Sequence, residues 1–119
     1  MSTVPLPRLI AKAQKVFNAW IRERDKGKAC ISCGMAKIDH AGHYFAAGQF
    51  TALRFNETNV NGQCIQCNYF KHSNAIGYRN GLIAKYGEAS VLMLESSAKR
   101  AVKKWSRFEL ESIIEFYSL

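Results

Sequence analysis

The sequence predicts a single α+β domain in which N-terminal and C-terminal helices flank a small zinc-stapled core. Three observations predict it: two Cys-x-x-Cys pairs, apolar residues at helical spacing before the first pair, and further helical patterns after the second. A chain of 119 residues has room for one domain. We expect an N-terminal helix over about 7–26, the core over about 28–75 and C-terminal helices over about 75–118.

The charge balance points to a polyanionic partner. Lysine and arginine number 17 against 9 acidic residues, a net charge of +8. Such a surplus attracts DNA or RNA, although a basic surface without a partner would have the same composition. The sequence has no run of about 20 apolar residues and no signal peptide pattern, so we expect no membrane partner and a cytoplasmic location, the host cytoplasm if the chain is phage-encoded.

The N-terminal helix is predicted over Pro7 to Asp25, with Pro7 in its first turn and Gly27 ending it. Its apolar residues recur at spacings of three and four: Leu6, Leu9, Ile10, Ala13, Val16, Phe17, Trp20 and Ile21. The opposite side is basic: Arg8, Lys12, Lys15, Arg22 and Arg24. We favour a solvated face there over a DNA contact.

The middle of the chain predicts two short strands and a helix start. The first strand is expected around Ile38 to Phe45, followed by a loop over 46–58. A second strand begins at Asn59 and turns at Asn61-Gly62, a common turn dipeptide. The segment 64–71 should then start a helix.

The remainder of the chain is predicted to be helical. A rough apolar stripe ends at Gly87: Ile76, Leu82, Ile83 and Tyr86. A short second segment follows: Val91, Leu92 and Leu94. Residues 106–109 form a capping-box pattern, Ser-x-x-Glu, which opens a final helix. The stripe of that helix is Phe108, Ile113, Ile114 and Tyr117.

The four cysteines are predicted to bind one structural zinc ion: Cys30, Cys33, Cys64 and Cys67. In a reducing compartment, two Cys-x-x-Cys pairs supply the four thiolates of a closed tetrahedral site. A closed site leaves no position for substrate, so this zinc should stabilise the fold and take no part in catalysis. The alternative, a redox-active pair, would need one Cys-x-x-Cys motif and not two.

A set of polar residues lies between and after the cysteine pairs. Asp39-His40-Ala41-Gly42-His43 precedes the loop, Asn59 lies five residues before the second pair, and Cys67-Asn68-x-x-Lys71 follows. This pattern resembles that of the HNH (ββα-metal, His-Me finger) nucleases. The resemblance implies that His43 is the general base, Asn68 a ligand of Mg²⁺ or Mn²⁺, and Asn59 the residue that orients the base. Neutral imidazole can deprotonate water near neutral pH, and hard cations prefer oxygen ligands.

Two roles stay open for the first histidine. Many HNH relatives have Asp directly before the catalytic His, where this chain has Gly42, and the adjacent Asp39-His40 pair resembles the endonuclease VII type of junction resolvase. Either His40 is the base with Asp39 as metal ligand, or His43 is the base and His40 assists the metal. We prefer His43.

Over about residues 9 to 117 the chain resembles the NinG (Rap) recombination proteins of lambdoid phages. The most specific segments are His40-Ala41-Gly42-His43-Tyr44 and Leu53-Arg54-Phe55-Asn56-Glu57. The resemblance implies an endonuclease acting on branched double-stranded DNA, D-loops and Holliday junctions, with phage or host recombination proteins as partners. We expect no counterpart of the long N-terminal extension of the larger members, and Lys71-His72-Ser73-Asn74 replaces the usual Lys-Ser-Gly-Asn. The basic residues that we expect to contact DNA are Lys15, Arg22, Arg54, Lys71 and Arg79.

Two rival functions remain: a non-catalytic zinc-stapled DNA-binding module, and an HNH nuclease of a restriction or homing role. We also predict a homodimer, because the final helix carries more apolar residues than one stripe needs: Phe108, Ile113, Ile114, Phe116, Tyr117 and Leu119. The alternative is that this helix packs back on the N-terminal helix around Trp20.

Overall fold

The computed structural model describes residues 4–119 and confirms a small α+β fold. Its main elements are α1 (Leu6–Arg24), β1 (His40–His43), β2 (Val60–Gln63), α2 (Ala75–Tyr86), α3 (Glu88–Ser97) and α4 (Arg107–Tyr117). Short 3₁₀ turns cover Thr51–Leu53 and Ala98–Arg100, and a π-helical turn covers Gln66–Phe70. Among these elements no helix is long and apolar enough to cross a membrane.

Helix α1 supplies one half of the hydrophobic core. Four residues of its predicted stripe, spaced four apart in the sequence, are buried: Leu9, Ala13, Phe17 and Ile21. Helix α4 packs against this side of α1, and the ring of Tyr117 lies 4.7 Å from that of Phe17 and 5.0 Å from that of Trp20. The alternative considered for the final helix, packing on α1 around Trp20, is therefore present in the monomer.

The expectation that Arg24 lies on a solvated face is wrong. Its guanidinium donates to both carboxylate oxygens of Asp25 at 2.8 Å and to Asn61 Oδ1 at 3.1 Å. It also donates to the backbone oxygens of Glu57 and Val60. Because α1 ends beside β2, an arginine in its last turn reaches buried acceptors that helical periodicity alone does not reveal.

The two strands form an antiparallel hairpin in which His40 pairs with Gln63 and His43 with Val60. The expected turn at Asn61-Gly62 is wrong, because both residues lie inside β2 and pair with Gly42 and Ala41. The strands are joined instead by the long segment 44–59. A Cβ at Gly62 would lie 2.7 Å from the Ile38 side chain, so this glycine allows close packing and does not make a turn.

The segment 46–58, expected to be a plain loop, is a structured part of the domain. It contains the 3₁₀ turn Thr51–Leu53, and the side chains of Leu53 and Phe55 are buried. The Ala52 amide donates to the Ala101 carbonyl at 2.7 Å, and Trp105 Nε1 donates to the Thr51 carbonyl at 2.8 Å. These contacts between distant parts of the chain leave no periodic signal in the sequence.

Helices α2 and α3 form much of the second half of the core, to which they contribute four buried residues: Tyr78, Leu82, Val91 and Leu94. The predicted stripe is wrong at Ile76, which is 82% exposed. The buried side of α2 includes two glycines, where a Cβ would collide with the carbonyl oxygens of Ser32 and Ile31. Counting large apolar residues does not detect a buried helix face that consists of glycines. The predicted stripe therefore put Ile76 on the buried side of α2, whereas it lies in solvent.

The capping box of α4 is confirmed. Ser106 Oγ accepts from the Glu109 amide at 3.1 Å, and the Ser106 amide donates to Glu109 Oε1 at 3.0 Å. The stripe itself is wrong at Phe108, which is 79% exposed, while Leu110 is fully buried. The helix turns its Leu110 side to α1, which rotates Phe108 into solvent.

Candidate functional site

The four cysteine sulfurs converge, and all lie within 4.8 Å of one another. Hydrogen bonds from the backbone amides of Ala36 and Met35 lower the pKa of Cys33 to about 6, whereas burial raises the pKa of Cys64 to about 12. Four sulfur donors at this spacing match the preference of zinc, and a bound cation would keep the buried thiols as thiolates. The cluster could therefore hold one metal ion, as the cysteine spacing predicts.

The hairpin presents its two histidines on opposite faces. Side chains alternate along a strand, so His40 and Gly42 share one face while Ala41 and His43 share the other. Ala41 packs against the α1 half of the core, and His43 lies beside Gln14 of α1. Among the described residues no hydrogen bond joins His43 to His40 or to Asn68.

The ring of His43 is fixed by a backbone carbonyl. Its Nε2 lies 3.1 Å from the Arg54 oxygen, which also accepts from Gln14 Nε2 at 3.1 Å. A carbonyl can only accept, so this contact requires the proton on Nε2 and makes Nδ1 the basic nitrogen. The Gln14 amide nitrogen, 3.4 Å from Nε2, is itself a donor and would bond to Nε2 only in the opposite tautomer, so we assign the proton from the shorter contact. Burial lowers the pKa of His43, so the ring is neutral near pH 7.

The side chain of Asn59 links the start of β2 to the loop segment whose Arg54 carbonyl contacts His43. It is fully buried, and its Nδ2 donates to the carbonyls of Phe45 and Leu53 at 3.0 and 3.1 Å. Its Oδ1 accepts from the Phe45 amide at 2.8 Å. By holding Leu53, Asn59 fixes the neighbouring Arg54 carbonyl that orients His43. This geometry fits an orienting role, which stays a prediction.

Asn68 lies at the other face of the hairpin, in the π-helical turn. Its Nδ2 is 3.1 Å from His40 Nδ1, and its Oδ1 lies over Gly42, 3.2 Å from where a Cβ would stand. Asp39 Oδ2 accepts from the Ile65 amide at 2.9 Å and so caps the same turn. The structure thus brings Asp39, His40 and Asn68 to one short helical turn.

These donors fit a divalent cation such as Mg²⁺ or Mn²⁺. Carboxylate and amide oxygens are the ligands that such ions prefer, and the missing side chain of Gly42 lets amide oxygens approach this point of the strand, Asn68 Oδ1 among them. A buried oxygen without a hydrogen-bond partner among residues 4–119, Gln63 Oε1, lies at the same place. Sequence reasoning missed both Gln63 and Gln14, since a buried amide looks like any surface amide in a sequence.

The five basic residues expected to contact DNA differ in availability. Lys15, Arg22 and Lys71 are exposed. Arg54 is half-buried and donates to the Ala47 carbonyl at 3.3 Å, and Arg79 forms an ion pair with Glu95 at 2.9 Å. Within residues 4–119 the side chains of the first three form no hydrogen bond or ion pair, so they can bind a phosphate without breaking one.

The fold and the cysteine cluster define the class: a small α+β protein with a metal-suited four-cysteine group beside a two-stranded hairpin. Comparison with known proteins identifies the family, since the profile described as "Bacteriophage Lambda NinG protein" matches residues 3–119. The chain belongs to this family of lambdoid phage proteins.

Curated relatives named "Protein ninG" agree with the family assignment. The chain is 42% identical to that of Escherichia phage lambda and 43% identical to that of Salmonella phage P22, in each case over 107 residues, 87% of this chain and 51% of the relative. The protein of Escherichia phage 933W is 41% identical, with 52% of it covered. The chain therefore spans about half the length of these relatives. No solved structure matches significantly.

Proposed function

We propose that this protein is a metal-dependent DNA endonuclease of the HNH (ββα-metal) type that cuts branched recombination intermediates, D-loops and Holliday junctions, in phage recombination. The observation that supports it most is the state of His43. A neutral imidazole whose Nε2 proton is held by the Arg54 carbonyl has its basic Nδ1 without a hydrogen-bond partner among residues 4–119, so this nitrogen can accept a proton.

In the proposed reaction, His43 Nδ1 would take a proton from the water that attacks the scissile phosphate. Because His43 and the proposed cation ligands lie on opposite faces of the hairpin, this assignment requires the phosphate to lie across the edge of the hairpin, within reach of both faces. Asn68 Oδ1 and His40 would hold the Mg²⁺ or Mn²⁺ ion at the edge of the hairpin beside Gly42. A cation bound there relieves the negative charge on the phosphate oxygens and on the leaving 3′-oxygen. Asn59 keeps the base oriented through the loop backbone, and the cysteine-bound zinc keeps the hairpin and the helical turn together.

The second assignment exchanges the roles of the two histidines. His40 would be the base, with Asp39 and Asn68 as metal ligands. One carboxylate oxygen of Asp39 accepts from the Ile65 amide. The other has no hydrogen-bond partner among residues 4–119, so it could bind the metal ion. We prefer His43, because the Arg54 contact sets its tautomer and burial lowers its pKa, which keeps the ring neutral.

Exposed aromatic residues support a nucleic-acid substrate with unpaired bases. Tyr69 and Phe70 directly follow Asn68, their rings lie 5.0 Å apart, and they are 71% and 60% exposed. Aromatic rings on a basic surface stack on unstacked bases, which occur at branch points and are absent from intact duplex. Together with Lys71, the pair places a base-stacking surface next to the proposed cation.

The test is cleavage of labelled DNA by the zinc-loaded protein, with Mg²⁺ or Mn²⁺ against EDTA, on a four-way junction, a D-loop, a flap and linear duplex. We expect metal-dependent cutting that favours the branched substrates. Binding without cleavage of any substrate would support the rival DNA-binding module. Cutting of linear duplex at specific sequences would support a restriction or homing role.

We also propose that the protein acts as a homodimer on junctions, because two equivalent sites match the two opposed cuts that resolve a four-way junction. The surface that supports this proposal is apolar and exposed even though α4 packs on α1: Phe108, Phe116 and Leu119. Sedimentation at micromolar concentration, with and without junction DNA, tests it. We expect a dimer that Phe116→Glu disrupts, and a monomer under both conditions would refute it.

A further inference from the structure

Two buried amide side chains share one face of β2, and they differ in one respect. Asn61 has both ends of its amide bonded: its Oδ1 accepts from Lys85 Nζ at 2.8 Å, and its Nδ2 donates to the Thr58 carbonyl at 2.8 Å. Gln63, two residues further and fully buried, has no partner for Oε1 among residues 4–119. A buried carbonyl oxygen left unpaired is destabilising, so a ligand or a water is expected there.

The orientation of the Gln63 amide is fixed by its nitrogen. Nε2 donates to the Ser73 carbonyl at 2.7 Å and to Ser32 Oγ at 2.8 Å. Ser32 Oγ in turn donates to the same Ser73 carbonyl at 3.1 Å, so it accepts from Gln63. Reversing the amide would place two oxygens against each other. The oxygen end must therefore point away from both serines.

That oxygen lies over Gly42, at the place that a side chain of residue 42 would take. A Cβ on Gly42 would collide with Gln63 Oε1 and would lie 3.2 Å from Asn68 Oδ1, so both amide oxygens border the same small space. The third neighbour is His40, which pairs with Gln63 across the strands and contacts Asn68. The two oxygens cannot hydrogen-bond to each other, because both are acceptors.

We propose that Gln63 Oε1 is a further ligand of the divalent cation, acting together with Asn68 Oδ1 over Gly42. This inference rests on the proposed function, because it assigns a new ligand to the same cation. It explains why position 42 is glycine: any side chain would displace the Gln63 oxygen. It also explains why the amide nitrogen is anchored by two acceptors, because an anchored amide holds its oxygen ready for the ion.

The first test uses the unaltered, zinc-loaded chain, so it does not depend on the folding of a variant. With ¹³C labelling, the side-chain carbonyl carbons of Gln63 and Asn68 are followed while Mg²⁺ is added. We expect both signals to shift together and to saturate at one Mg²⁺ per chain, with Gln66 in the neighbouring turn unchanged. A shift at Asn68 with none at Gln63 would overturn this inference and leave the proposed function standing. No shift at either residue would count against both.

The second test measures Mn²⁺ affinity by electron paramagnetic resonance for Gln63→Met and for the matched control Gln66→Met, an exposed residue of the same region. Loss of a residue that only supports a metal ligand weakens binding by about tenfold to hundredfold, and we expect a loss of at least that size for Gln63→Met and none for Gln66→Met. Zinc content and the unfolding midpoint without Mn²⁺ show whether the variant is folded. Unchanged Mn²⁺ affinity in folded Gln63→Met would refute the inference.

Discussion

Asp25→Asn should destabilise the domain, because Asp25 holds the end of α1 to the hairpin and to α2. The carboxylate is 3% exposed and accepts from Arg24 at 2.8 Å, from the Gly62 amide at 2.8 Å and from Lys85 at 3.2 Å. Burial alone would raise the pKa of Asp25, but the hydrogen bonds from Arg24 and Gly62 outweigh it and lower this pKa from 3.8 to about 2.

The size of the effect follows from that pKa. At about 1.4 kcal/mol per unit, the shift corresponds to about 2 kcal/mol of stabilisation of the charged form. The variant also leaves two cations without their anion, which costs about 3–5 kcal/mol when the pair is fully buried. Arg24 and Lys85 keep 19% and 24% of their side-chain surface exposed, so water can offset part of that cost. Because both figures describe the same charge pairs, they are not added, and we expect a loss of about 2–3 kcal/mol.

Urea unfolding at pH 7 with saturating zinc measures this loss, and Glu23→Gln, an exposed acid on the same helix, is the control. A group with a lowered pKa stabilises the fold above its unfolded pKa and loses that contribution as the pH falls through the folded pKa. The difference between wild type and Asp25→Asn should therefore be constant from about pH 5.5 to about pH 8. A loss below about 0.5 kcal/mol, the size of an ordinary surface substitution, would refute the reasoning.

Three further predictions concern the metals and the site. Chelation of zinc, or serine in place of a cysteine, should unfold the domain, and metal analysis finding far less than one zinc per chain would contradict this. His43→Ala should lower cleavage by about a hundredfold to ten-thousandfold with junction binding retained, whereas near-normal cleavage with His40→Ala inactive would transfer the role of base to His40. Asn68→Ala should abolish cleavage and Asn59→Ala should reduce it less, and a full rate for Asn68→Ala at limiting Mg²⁺ would remove it as a ligand.

Local signals predicted the fold best. The spacing of the cysteine pairs, the apolar stripe of α1 and the capping box at Ser106 each depend on residues close in sequence, and the structure has all three. The predicted roles of His43, Asn59 and Asn68 came from the family resemblance and remain predictions. For the site, the sequence indicated the types of residue that it contains but not how they are arranged.

Long-range contacts account for what the sequence could not predict. Asn61-Gly62 is a good turn dipeptide, but the buried amide of Asn61 is bonded to residues 37 and 24 positions away, Arg24 and Lys85, and these contacts keep it in β2. The opposite faces of His40 and His43 follow from alternation along the predicted strand, but which face meets α1 and which meets Asn68 depends on contacts between distant segments. The open oxygen of Gln63 depends on two serines in different segments.

The zinc cluster and the proposed cation site are coupled through the chain itself. Gln63 directly precedes Cys64, and Asn68 directly follows Cys67, so the two proposed amide ligands flank the second cysteine pair. A hairpin of two four-residue strands is marginal alone, and a bound zinc would fix both flanks of this pair relative to Gly42. A distortion of the sulfur shell should therefore weaken binding of Mg²⁺ or Mn²⁺ before the domain unfolds. The zinc would then be structural for the fold and also for the spacing of the catalytic ligands.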